Sequence, residues 1–65
     1  MRTEQIEPGC IYIDSVGQAR EVVSMAGSLV EFRRGRTGRS RHIFRTTINE
    51  MAAWAIKEVT EQVRK

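Results

Sequence analysis

The stretch from residue 33 to residue 45 has the densest cluster of charged side chains in this chain. This stretch, the arginine segment, has six of the eleven basic residues, none of the eight acidic residues and the single histidine. Because the whole chain has a net charge of +3 with histidine neutral, the residues outside the segment have a net charge of −3. Positive charge concentrated in this way is typical of a surface that faces a polyanion. The candidate binding residues are Arg33, Arg34, Arg36, Arg39, Arg41, His42 and Arg45.

Guanidinium groups suit the phosphates of a nucleic acid because they are permanently charged and donate two parallel hydrogen bonds. If the segment forms the end of a β-hairpin, its tip carries Arg36, Arg39 and Arg41, and the other arginines lie on the arms. A basic β-ribbon fits the major groove of DNA, and a flexible Gly-Arg tip fits the minor groove. We therefore expect contacts to phosphates, with His42 as an auxiliary. Two alternatives stay open, namely an acidic protein that docks on the same loop and a solvated loop whose charge serves solubility.

Trp54 is the second candidate binding residue. On a helical wheel it faces away from the apolar stripe, and an exposed tryptophan would indicate a protein interface, for example a homodimer. The alternative is that the helix is rotated and buries Met51, Trp54, Ala55 and Val59 under the N-terminal arm.

Other kinds of chemistry have little support in the sequence. One cysteine, Cys10, and one histidine cannot supply the three or four ligands of a zinc site. No nucleophile is paired with His42, and 65 residues leave little room for a substrate pocket. We expect a non-catalytic binding module without a cofactor. The lone cysteine and the lack of any apolar run of ~20 residues favour a cytoplasmic protein.

The element pattern predicts a single α+β domain. Residues 1–7 read as a loose arm, and residues 8–46 read as a small, strongly bent antiparallel sheet of about four short strands, at 10–13, 19–25, 29–34 and 42–46. Turn residues at 14–18 and 26–28 separate the first three strands. Thr47 and Glu50 have the spacing of a capping box, and the apolar pattern after them predicts a helix over most of residues 47–65.

The order of these turn and strand residues resembles short uncharacterised proteins carried by prophages and other mobile elements, which are similar in turn to SH3-like small barrels. The residues that carry the resemblance are Pro8, Gly9, Tyr12, Asp14, Gly17, Val22, Val23, Val30, Phe32 and Arg34. The resemblance implies a sheet that curls on itself. The expected long helix departs from it, because a simple barrel ends in a short turn and a last strand. Tyr12 is expected to be a half-buried strand residue with its hydroxyl in water, or else a platform for a base.

Overall fold

A five-stranded antiparallel sheet and one short helix make up the fold, which confirms the α+β prediction. The computed structural model describes residues 1–35 and 41–59. After a 3-10 turn at Thr3–Gln5, the elements are β1 (Ile11–Ile13), β2 (Ala19–Ala26), β3 (Leu29–Arg34), β4 (Phe44–Thr47), α1 (Ile48–Trp54) and β5 (Lys57–Glu58). The strand order is β4-β3-β2-β1-β5. Strands β4 and β5 are the two edges, so the described residues form an open sheet.

Two short connections fix the register of the first three strands. Asp14 ends β1, and its Oδ1 accepts hydrogen bonds from the backbone N–H of Val16 and of Gln18 at 3.1 and 2.9 Å. At the next turn, Ala26 pairs with Leu29 and leaves a two-residue loop that begins with Gly27 at φ +60°. A glycine with positive φ at the first central position fits a type II′ turn, whose twist matches that of the flanking strands. Both turns were predicted from these residues.

A β-bulge bends the sheet at Val23. The pairing of β2 with β3 shifts between Val22, which lies opposite Phe32, and Ser24, which lies opposite Glu31. One extra residue on β2 therefore increases the local twist.

The core lies on one face of this sheet, called the core face. Its buried members are Ile6, Tyr12, Val22, Val30, Phe32, Met51, Ala52 and Ala55. Alternation along the strands puts Tyr12, Val22 and Phe32 on this face, and α1 covers it with Met51 and Ala52. The opposite face of the sheet is called the outer face.

The first seven residues differ from the loose arm predicted for them. Ile6 is buried in the core, and the Tyr12 hydroxyl donates to the Gln5 carbonyl at 2.8 Å and accepts from the Glu7 N–H at 2.9 Å. The Met1 ammonium donates to the carbonyl of Ala52 at 2.8 Å, at the end of α1, where the helix dipole favours a cation. The arm is thus part of the packed domain, and the prediction that the Tyr12 hydroxyl lies in water was wrong.

The helix begins where it was predicted but is much shorter. The Thr47 hydroxyl accepts from the Glu50 N–H at 3.1 Å, which is half of the predicted capping box, whereas the Glu50 carboxylate accepts from the Thr46 hydroxyl instead. The helix ends at Trp54, and Ala55 is extended. The chain then pairs with β1, with the N–H of Val59 donating to the Ile11 carbonyl at 2.8 Å. This pairing supplies hydrogen-bond partners to the backbone groups at the edge of β1, which a longer helix would have left unpaired. Residues 60–65 of the predicted helix lie outside the described residues.

Candidate functional site

The strand register divides the described part of the arginine segment between the two faces of the sheet. Residues directly opposite one another in antiparallel strands project from the same face. Arg34 lies opposite Arg20, on the core face. Arg33 lies opposite Glu21, and Arg45 lies opposite Glu31, on the outer face. The predicted hairpin of the third and fourth strands is present, but its arms present their arginines to different surroundings.

On the outer face each arginine has a glutamate as its neighbour. The Arg45 Nε donates to Oε2 of Glu31 at 2.9 Å, and the Ser24 hydroxyl donates to Oε1 of the same carboxylate at 2.8 Å. These bonds, first that from Arg45 and then that from Ser24, lower the pKa of Glu31. Arg33 faces Glu21 across the strands, although its Nε and the Glu21 Oε1 are buried without a hydrogen-bond partner. The charge of the outer face is therefore largely balanced.

On the core face the Arg20 guanidinium lies close to two aromatic rings. Its central carbon lies 4.5 Å from the centroid of the Phe32 ring and 4.1 Å from that of Trp54. Its Nη1 also contacts the Met51 sulfur at 3.8 Å. A planar guanidinium stacks well on aromatic faces, so this arrangement fixes the orientation of Arg20.

A row of stacked groups continues from Phe32 towards the edge of the sheet. The rings of Phe32 and Phe44 stack with centroids 5.5 Å apart. The central carbon of the Arg34 guanidinium lies 4.8 Å from the centroid of the Phe44 ring, and the centroid of the His42 ring lies 4.4 Å from it. The row thus gathers the guanidinium groups of Arg20 and Arg34 and the ring of His42 around Phe32, which is buried, and Phe44, which is partly buried.

A cleft of about 310 Å³ opens at this end of the core face. Its lining consists of Gln18, Ala19, Arg20, Arg34, Gly35 and Trp54. Burial lowers the pKa of Arg20, the positive charge of Arg34 lowers it further, and Asp14 acts in the opposite direction. Among residues 1–35 and 41–59, neither of the two cleft arginines forms an ion pair with a carboxylate. We call this cavity the guanidinium cleft.

The predicted site residues fall into three groups. Arg34 and His42 come together at Phe44, Arg33 and Arg45 lie on the other face, and Arg41 is exposed. Arg36 and Arg39 lie outside the described residues. Trp54 is half-buried and packs against the core with the Arg20 guanidinium over its ring. It is therefore neither fully exposed, as an interface residue would be, nor fully buried, as the rotated helix would have it.

Arg20 is the site residue that sequence reasoning missed. It stands two positions before Val22 in β2, so strict alternation would have placed it on the core face with that valine. A charged residue at a core-facing strand position signals either a pairing partner or a ligand site. Charge density alone points to the arginine segment and does not single out Arg20.

Comparisons of the chain with family models, with curated proteins and with solved structures each returned no match. Within the described ranges no helix is long and apolar enough to cross a membrane. The same residues contain no cluster of three or more His, Cys, Asp or Glu side chains that could hold a metal ion.

Proposed function

We propose that this protein is a non-catalytic nucleic-acid-binding module that binds through the guanidinium cleft and through the other positive groups of the arginine segment, of which Arg33 and Arg45 on the outer face contribute least. The observation that carries the proposal is the pairing of Arg20 with Arg34. Two like charges share one cleft, and neither forms an ion pair with a carboxylate among the described residues, although Asp14 partly offsets the charge of Arg20. An anion placed between them would relieve their repulsion, and a desolvated guanidinium binds phosphate more strongly than an exposed one.

The continuity of positive charge supports a polyanion as the ligand rather than a single small anion. Gly35 lines the cleft, and the arginine segment continues from it along the chain. His42 and Phe44 extend the same face beyond Arg34. Aromatic rings beside guanidinium groups suit nucleic acid, because bases stack and phosphates bind within a few ångströms of each other.

Sequence-specific reading of bases is not part of the proposal. The single described helix has seven residues and carries Glu50 in its first turn, which would repel DNA. Binding should therefore consist mainly of contacts to phosphates, without a preferred sequence.

We also propose that the domain is SH3-like in type and acts in the cytoplasm. The likeness to small barrels gains support from β5, because a short helix followed by a last strand is closer to the end of a simple barrel than the long helix expected from the sequence. The pairing of β5 with β1 brings the end of the sheet back beside its first strand.

The test is fluorescence anisotropy with labelled random-sequence DNA and RNA at ~50 and ~200 mM salt. If the complex has about four phosphate contacts, raising the salt over this range should weaken binding by roughly 10²-fold. Arg34→Gln should weaken binding, whereas Lys57→Gln, with the same change of charge on the far edge strand β5, should have a much smaller effect.

The absence of binding at the lower salt concentration would overturn the proposal, as would equal losses in the two variants. The former result would favour the alternative function, docking of an acidic protein through the same charges or through Trp54. In that case binding of an acidic partner should depend on Trp54, and generic DNA should bind little.

A further inference from the structure

We infer that the guanidinium cleft is a binding site for a phosphate monoester, the group that ends a phosphorylated nucleic-acid strand. The inference rests on the proposed function only for the source of the phosphate. It assigns to Arg20, Arg34 and Trp54 a ligand different from the phosphodiester backbone that the rest of the positive surface would contact.

Charge complementarity separates the two kinds of phosphate. A phosphate monoester carries about −1.5 to −2 charges near pH 7, and a backbone diester carries about −1. The cleft places two guanidinium groups around one cavity, and neither is ion-paired among the described residues. Only the monoester matches two positive charges with a single ligand group.

Preorganisation supports the same ligand. The Arg20 guanidinium lies against the rings of both Phe32 and Trp54, so little side-chain entropy is lost when it binds. The Arg34 guanidinium rests on Phe44 at 4.8 Å. Two guanidinium groups supported by rings present their N–H donors in fixed directions, which is the requirement for several hydrogen bonds to one phosphate.

The size and the remaining walls of the cleft also fit a strand end. A volume of about 310 Å³ lies at the lower end of the range for small-ligand sites, which begins at roughly 300 Å³. Gly35 contributes a wall without a side chain, and the Gln18 amide adds a neutral polar group. The cleft has room for one phosphate with part of its sugar.

The first experiment uses the only tryptophan of the chain as a reporter. Because Trp54 lines the cleft, its fluorescence should change on titration with ribose 5-phosphate, which does not absorb at the excitation wavelength. Ribose and sodium chloride of equal ionic strength are the ligand controls. Arg34→Gln should abolish the change, and Lys57→Gln should retain it.

The second experiment compares one short single-stranded DNA in three forms, with a 5′-phosphate, with a 3′-phosphate and with hydroxyl groups at both ends. A strand one nucleotide longer, without a terminal phosphate, controls for added charge. We expect at least one phosphorylated form to bind more tightly than the hydroxyl form by about tenfold or more, as even one extra charge-assisted hydrogen bond would give. Arg34→Gln and Arg20→Lys should remove the preference, whereas Arg41→Gln should lower all affinities and keep it.

The outcomes separate this inference from the proposed function. If all strands bind and the terminal phosphate makes no difference, the cleft is not a monoester site, although the protein still binds nucleic acid. If ribose 5-phosphate binds and no strand does, the cleft is a phosphate site and the nucleic-acid proposal fails. If Arg20→Lys does not fold, the result with Arg34→Gln alone decides, because Arg34 is exposed.

Discussion

The guanidinium of Arg20, on strand β2, stacks on the ring of Trp54, the last residue of helix α1, at 4.1 Å. The central carbon of the same group lies 4.5 Å from the centroid of the Phe32 ring on β3. One cation thus joins three elements at the wall of the guanidinium cleft. Its placement makes Arg20 both a packing residue and a candidate ligand contact, and the two roles can be measured separately.

Arg20→Lys should destabilise the protein while keeping the charge. Lysine cannot stack as a plane against Phe32 and Trp54, and the loss of such contacts costs about 0.5–2 kcal/mol in the free energy of unfolding. Urea unfolding followed by Trp54 fluorescence measures the loss. Arg41→Lys, at an exposed position, is the matched control and should leave stability unchanged. Equal stability of the two variants would show that the stack contributes nothing.

Tyr12→Phe should destabilise the protein by releasing the N-terminal residues. The Tyr12 hydroxyl bonds to the backbone of Gln5 and of Glu7, and its removal leaves two partly buried polar groups without a partner. We expect a cost of about 1–3 kcal/mol in the free energy of unfolding. Ser15→Ala removes an exposed hydroxyl and serves as the control. Limited proteolysis should cut the variant within its first seven residues, and resistance equal to the parent would contradict this account.

The stability of the protein should fall in strongly alkaline solution because of Tyr12. Burial raises the pKa of this phenol well above its usual value of about 10, although the hydrogen bond from the Glu7 N–H opposes the shift. The folded state therefore holds the proton more tightly than the unfolded state. The resulting stabilisation is fully present below about pH 10 and is lost as the pH rises further.

Ultraviolet absorbance of the phenolate follows this titration directly, because Tyr12 is the single tyrosine of the chain. The phenolate should form only together with unfolding. Its appearance at about pH 10 in a still folded protein would show that the hydroxyl is open to solvent. Tyr12→Phe should remove this part of the pH dependence of stability.

Much of the sheet was predictable from local signals. Asp14 and Gly27 mark turns whose chemistry is set by one or two residues, and alternation in β3 separates Val30 and Phe32 from Glu31. The last strand was not predictable in this way. The four-residue step from Ala55 to Val59 fits a helix, and the competing partner, the edge of β1, lies more than forty positions earlier in the chain. Tertiary pairing outweighed local periodicity.

The candidate site was predictable only in part, for the same physical reason. Local charge density identifies the arginine segment, but it does not say which face of a strand each arginine occupies. Register decides that Arg34 meets Arg20 and that Arg45 meets Glu31. The meeting of Arg34 with Arg20 also depends on the bulge at Val23, which a single sequence does not reveal.

The final prediction concerns Arg45, which the sequence suggests as a phosphate contact and the structure pairs with Glu31. Hydrogen bonds from Arg45 and Ser24 lower the pKa of Glu31 in the folded state. The stabilisation from this pair is therefore present above the unfolded-state pKa of about 4.3 and is lost as the pH falls through the lower folded-state value. Glu31→Gln should lower the urea midpoint slightly at pH 7 and leave it unchanged in strong acid, because an exposed pair contributes little.

Arg45→Gln should reproduce the stability profile of Glu31→Gln, and the double variant should add little to either change. In DNA binding the same substitution should have less effect than Arg34→Gln, because the guanidinium of Arg45 is already paired with the carboxylate of Glu31. A loss of affinity as large as that of Arg34→Gln would mean that the outer face binds DNA as well. The comparison of these two arginines, which stand on neighbouring strands and opposite faces, therefore locates the binding surface.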